Sequence, residues 1–180
     1  GGVEGGAAMT EDHASLDAYT PVDIAVRAEA GGVAKANLDL ATILALSVLA
    51  GAFIVLGANF ATSVLTDTGV GYGLPRLAGG LVFSLGLILV LVGGAELFTG
   101  NILMVMAWAS GKVSTLRLLR NWVLVYAGNF IGALATAAGV YVSRQWAFGG
   151  YQVGATALTI AHAKVQHDFL AAFMLGVFCN

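Results

Sequence analysis

Few side chains in this sequence could do chemistry, and most of them stand together. The stretch Gly93-Gly94-Ala95-Glu96-Leu97-Phe98-Thr99-Gly100-Asn101 puts a carboxylate, a hydroxyl and an amide among three glycines, with long apolar runs on both sides. Glu96 could carry charge or accept hydrogen bonds, and Thr99 could offer a hydroxyl to a small polar solute. Outside this stretch the candidates are Lys35, Lys164, His162 and His167, with the amides Asn121, Asn129 and Asn180. An enzyme could pair Glu96 with His162 or His167. The order of the apolar runs argues against it, because it puts both histidines at a membrane end and Glu96 near the bilayer centre.

The elements that must position these residues are membrane helices. The chain has 180 residues, 58% hydrophobic and 10% charged, with mean hydropathy +0.86. Soluble domains carry about a quarter charged residues, so this composition cannot cover a water-facing surface and indicates an integral membrane protein. The net charge of −2 gives no footprint for a nucleic-acid partner. The single cysteine, Cys179, excludes an internal disulfide. Nothing in the sequence calls for a metal or cofactor. The start at Gly1 and the stop at Asn180 inside an apolar run raise the expectation of a longer parent protein.

Residues 1–19 read as a disordered polar tail, and 20–38 as an amphipathic helix with Thr20 as cap and Pro21 in its first turn. A transmembrane domain follows over 39–180. No charge occurs between Asp39 and Asp67, so 40–62 forms the first span. The second apolar region runs over 77–110, the third lies between Arg120 and Arg144, and a fourth begins after Asp168. Lys112, Arg117 and Arg120 cluster after the second region, which predicts that this loop and the N-terminus are cytoplasmic.

Region 77–110 is too long for one straight crossing, since about 20 residues suffice. A long tilted helix with an exposed Glu96 is one reading. The glycines favour another: a helix over 77–92, a non-helical loop near 93–100, and a half-helix over 101–110. Irregular backbone at membrane depth survives only where it is buried in protein or lines a polar cavity. A carboxylate there also needs a partner or solvation.

"FSLGLILVLVGGAELFTGNILMVMAWASGKVS", "RNWVLVYAGNFIGAL" and "AHAKVQHDFLAAFMLGVFCN" together resemble the formate/nitrite transporter family over roughly residues 20–180. The resemblance implies an all-α, aquaporin-like inverted-repeat bundle with a broken second segment. This chain would then hold the first three-helix repeat and the start of the fourth helix. The second repeat, and the central pore histidine that the family carries there, would be missing. The resemblance further implies a homopentamer in a prokaryotic inner membrane, in contact with lipid. Its substrates would be small monovalent weak-acid anions: formate, nitrite or hydrosulfide.

The same resemblance implies roles for single residues. Phe83, Leu87, Leu97 and Phe98 would form pore constrictions and Thr99 would face the substrate. Lys35 and Lys164 would draw anions into the vestibules. Gly93, Gly94, Glu96, Gly100, Asn101, Asn121, Asn129 and Asn180 would support the loop. Each residue also has a plainer reading. The rings could face lipid, Thr99 could cap the following half-helix, and the lysines and histidines could be ordinary interfacial residues. Moving a carboxylate from water into an apolar medium costs on the order of 20 kcal/mol. Neutralising an acid of pKa ~4 at pH 7 costs only about 4 kcal/mol. Passage as the neutral acid, or with a shared proton, is therefore expected. An aquaporin-like neutral-solute channel would instead require Asn-Pro-Ala loops, and neither Pro21 nor Pro75 stands in one. A non-transporting fragment is the remaining alternative.

Overall fold

The computed structural model describes residues 19–66 and 69–179. Helix α1 (Pro21–Ala36) precedes α2 (Leu40–Val64), α3 (Gly73–Val92), α4 (Phe98–Asn101), α5 (Met104–Ala109) and α6 (Thr115–Val142). A 3₁₀ turn, Gln145–Ala147, leads into α7 (Gln152–Val165) and α8 (Phe169–Cys179). The chain is an all-helical membrane protein: α2, α3 and α6 are long and apolar enough to cross a bilayer.

Local chemistry sets the boundaries. Thr20 accepts from the Asp23 N–H at the start of α1, with Pro21 in the first turn. Asp39 accepts from Thr42 N–H at the start of α2, and Ser114 from Arg117 N–H at the start of α6. These caps satisfy donors that helices leave orphaned. Helix α3 begins at Gly73, earlier than the apolar run alone predicts, because Pro75 and Arg76 fit its first turn. Helix α6 likewise starts before Arg120, so Arg117 and Arg120 are helical rather than part of a loop.

Helix α2 is the centre of the bundle and packs against both α3 and α6. The α2–α6 crossing is close. A Cβ on Gly132 would lie 1.9 Å from the Val48 carbonyl oxygen, and one on Gly51 would lie 2.1 Å from that of Asn129. Apolar surfaces gain little from packing together in lipid, so such small-residue contacts carry helix association. Val33, Ala36, Met104, Ala107, Val113, Leu118 and Trp122 form a small core where α1 meets α5 and α6.

Polar contacts hold α1 on this end of the bundle. Lys112 bonds Glu29, Arg117 donates to Asn37 Oδ1 (3.0 Å), and Arg120 donates to the Leu38 carbonyl (3.5 Å). The hydrogen bond from Lys112, helped by Ser110, holds the Glu29 carboxyl below its ordinary value of 4.5. Asp39 is lowered as well, through its hydrogen bonds with Thr42. A depressed carboxyl stabilises fully above its unfolded pKa and loses that contribution as pH falls through the folded one. Protection of α1 against hydrogen exchange is therefore expected to fall as pH drops below about 4.5. In Glu29→Gln that fall should be largely lost, because the lowered Asp39 carboxyl caps α2 rather than α1. An unchanged pH profile in that variant would exclude the latch.

Candidate functional site

The interruption after α3 is a defined backbone motif. Gly94 takes the left-handed conformation (φ 60°). Gly94 N–H bonds the Leu91 carbonyl (3.3 Å) and Ala95 N–H bonds the Val90 carbonyl (2.9 Å). This 5→2 and 6→1 pair is a Schellman ending, which satisfies the last carbonyls of α3 and turns the chain away. Gly93 has ordinary helical φ (−78°), and a Cβ there would press on the Leu89 carbonyl and the Phe53 ring. Gly100 differs from its expected place in the turn: it lies inside α4 with open space around it.

The non-helical segment covers 93–97, shorter than the expected 93–100, and the half-helix beyond it is split into α4 and α5. Side-chain amides replace the backbone pairing this segment lacks. Asn129 of α6 donates to the carbonyls of Glu96 (2.9 Å) and Ser47 (2.8 Å), and its Oδ1 accepts from Phe98 N–H (2.9 Å). Glu96 N–H reaches the Leu46 carbonyl of α2 (3.2 Å). One amide thus ties the loop to both neighbouring helices, which is how backbone polar groups are satisfied at membrane depth.

Below the loop lies a buried polar chain. Glu96 is 4% exposed. Its Oε1 pairs with Lys35 Nζ at 2.5 Å and its Oε2 accepts from Asn101 Nδ2 at 2.6 Å. Asn101 also donates to Asn121 Oδ1 (2.9 Å), and Asn121 donates to the Lys35 carbonyl (3.3 Å). Trp122 Nε1 donates to the Asn101 carbonyl (3.0 Å). Glu96 is thus compensated in charge and hydrogen bonding. Lys35, expected to stand as an attracting charge, is instead neutralised by Glu96, because a buried carboxylate requires a cation. Sequence reasoning missed this pair, which joins positions 61 residues apart. The usable signal was that an intramembrane carboxylate demands a cation.

A cavity of about 340 Å³ opens beside this chain, lined by Lys35, Leu87, Val90, Leu91, Ala95, Leu97, Thr99, Gly100 and Asn101. Leu87, Leu97, Thr99 and Lys35 are therefore brought together around one space. Thr99 lies within α4, so it does not cap that helix; Leu97 holds the N-cap position without a side-chain bond. Thr99 lines the cavity. The Phe98 ring turns instead toward α6, edge-on to Tyr126 (5.4 Å) and Trp122 (6.4 Å). Phe83 lies one helical turn from Leu87 on α3, is 41% exposed, and does not line this cavity. Lys164 and His162 lie in the last turn of α7, a helix not anticipated between the third and fourth spans, and His167 lies just beyond it. All three are exposed. Asn180 is outside the described residues.

The family described as formate/nitrite transporter matches residues 22–180. The chain is 41% identical over 164 residues to the formate channel FocA of Haemophilus influenzae, covering 91% of this chain and 58% of that protein. It is 39% identical over 166 residues to the formate channel FocA of Escherichia coli K12, covering 92% and 58%. A solved structure described as a pentameric formate channel with formate bound superposes with a TM-score of 0.74 at 42% identity, over 78% of this chain and 55% of that one. The chain spans about 58% of the length of the curated relatives it matches. With the family match extending from α1 to the end of the sequence, the chain belongs to the formate/nitrite transporter family.

Proposed function

We propose that this chain builds part of a transmembrane channel for small weak-acid anions, with formate as the substrate and a proton shared during passage. The observation that carries this reading is the cavity under the helix break, where the leucines Leu87 and Leu97 and the hydroxyl of Thr99 meet beside a charge-compensated Lys35–Glu96 pair. The leucines would exclude hydrated ions, and Thr99 would supply a hydrogen bond inside the constriction. Phe83, a turn further along α3, would add a second ring to the path, and Phe98 would steady the loop against α6. Glu96, Asn101, Asn121 and Asn129, with Gly93 and Gly94, would hold the loop in place. Formate is favoured over nitrite and hydrosulfide because the relatives and the solved neighbour are described as formate channels.

The assembly proposed is a homopentamer, as the solved neighbour is described. The exposed apolar flanks of α3 and α6 would then meet lipid or other copies. The membrane is the prokaryotic inner membrane, with α1 on the cytoplasmic side, because Lys112, Arg117 and Arg120 gather at that end. Residues 20–38 would be a peripheral helix and 39–180 the channel domain; the tail expected over 1–19 lies, up to residue 18, outside the described residues.

The test is flux of formate, nitrite and hydrosulfide into liposomes containing the parent protein, across pH. Formate flux should rise as external pH falls toward the acid's pKa, and Lys164→Ala should reduce uptake several-fold at low substrate while leaving the maximal rate near its original value. No flux of any of these anions would sink the channel reading. Unchanged uptake kinetics would remove Lys164 from it.

A further inference from the structure

The end of the bundle remote from α1 holds a second cavity, of about 410 Å³. It lies where α2 ends and α3 and α7 begin, with Leu65, Tyr72, Arg76, Gln152, Thr156 and Ile160 among its lining. The stretch of α3 from Arg76 to Leu87 separates its lining from that of the Lys35 cavity by about 16 Å. The two linings share no residue, and the proposal below rests on this lining alone.

Its lining is rich in donors. Arg76 stacks over the Tyr72 ring at 5.1 Å and has no ion-pair partner among the described residues. The Gln152 amide and Tyr72 hydroxyl make no hydrogen bond among the described residues, whereas Thr156 is engaged with Thr66 (3.1 Å). Among the described residues the lining includes no carboxylate. A guanidinium beside an amide and a phenol matches the oxygens of a phosphate, which arginine grips with two parallel hydrogen bonds. The cavity, of about 410 Å³, has room for a headgroup as well as the phosphate itself. Its depth suits an amphiphile: it sits at a membrane end of two spans, with Tyr72 exposed there as interfacial aromatics are. Leu74 and Leu77, exposed on α3 beside it, offer a path for acyl chains.

We propose that this cavity binds a phosphate group, presented as the headgroup of an anionic phospholipid, with Arg76 as its main ligand. The purified protein in detergent would be titrated with phosphatidylglycerol, phosphatidylcholine or inorganic phosphate, and bound species counted by native mass spectrometry. One phosphatidylglycerol should be retained about tenfold more tightly than phosphatidylcholine, and Arg76→Gln should abolish that preference. Arg144→Asn, which removes an arginine that does not line the cavity, should keep it. Should Arg76→Gln fail to fold, Gln152→Ala, which deletes one donor only, should still lower the preference several-fold. Wild-type selectivity in folded Arg76→Gln, or in Gln152→Ala, would overturn the proposal. Displacement of the lipid by millimolar inorganic phosphate would assign the cavity to free phosphate and overturn the lipid source.

Discussion

Gly132→Ala is expected to destabilise the bundle by about 3 kcal/mol, at the upper end of what overpacking costs. The added methyl would sit 1.9 Å from the Val48 carbonyl oxygen. No flexible side-chain end can move away, because the obstacle is helix backbone. Helices α2 and α6 would have to separate along the crossing that also carries Asn129 and the loop. Unfolding of purified protein in mixed micelles, followed by circular dichroism, measures the loss. Gly139→Ala on the same helix meets nothing within 4 Å and should be neutral or slightly stabilising. Gly128 tests the steric explanation directly, because its Cβ would meet Ser47 Cβ at 2.3 Å. Gly128→Ala should be damaging alone and largely rescued by Ser47→Gly. Failure of that exchange to rescue, with Gly132→Ala as stable as wild type, would mean the crossing is not held by close packing.

The glycines illustrate how much was legible in the sequence. Composition and run length located α2, α3 and α6, since a bilayer imposes length and apolarity on any helix that crosses it. The paired glycines located the break, because Gly94 supplies a left-handed turn that few residues adopt. Thr20 and Pro21 marked the start of α1 by local hydrogen bonding and ring geometry. The unread features depend on contacts between distant positions. Small residues in the third span signal close helix packing, but nothing local says that Gly132 meets the Val48 carbonyl. Nothing around Asn129 announces that one amide serves a carbonyl of α2 and both sides of the loop. Helix α7 escaped notice because its mixed small and polar residues form neither a span nor a clear apolar stripe. At the site, Leu87, Leu97, Thr99 and Lys35 do meet around one cavity. The charge balance there was misjudged, because Lys35 was read apart from Glu96.

That balance carries the second large effect. Lys35→Met is expected to cost about 3 kcal/mol, the lower end of the range for stranding one member of a buried ion pair. The lower end applies because the Lys35 side chain is 33% exposed while that of Glu96 is 5% exposed. The carboxylate, not the lysine, bears the desolvation, so its loss of a partner dominates. Asn101 would still donate to Oε2, but one neutral amide cannot offset a full buried charge. Glu96→Gln in the wild-type background should cost less, since the neutral amide keeps hydrogen-bonding capacity and leaves only the more exposed Lys35 unpaired. The double variant Lys35→Met/Glu96→Gln should therefore be more stable than Lys35→Met alone by at least about 1 kcal/mol, and that gain together with the cost of Glu96→Gln on its own is the coupling, of the size that contacting residues show. The four proteins form a double-mutant cycle, measured by denaturant unfolding in micelles. Strict additivity would mean that the loop is braced by its amides alone and that the ion pair contributes nothing to it. Coupling of the expected sign would instead make the pair the clamp that sets α1 against the helix break, through the Asn121 bond to the Lys35 carbonyl as well as through Glu96. The cavity lined by Leu97 and Thr99 would then keep its shape only while that clamp is closed.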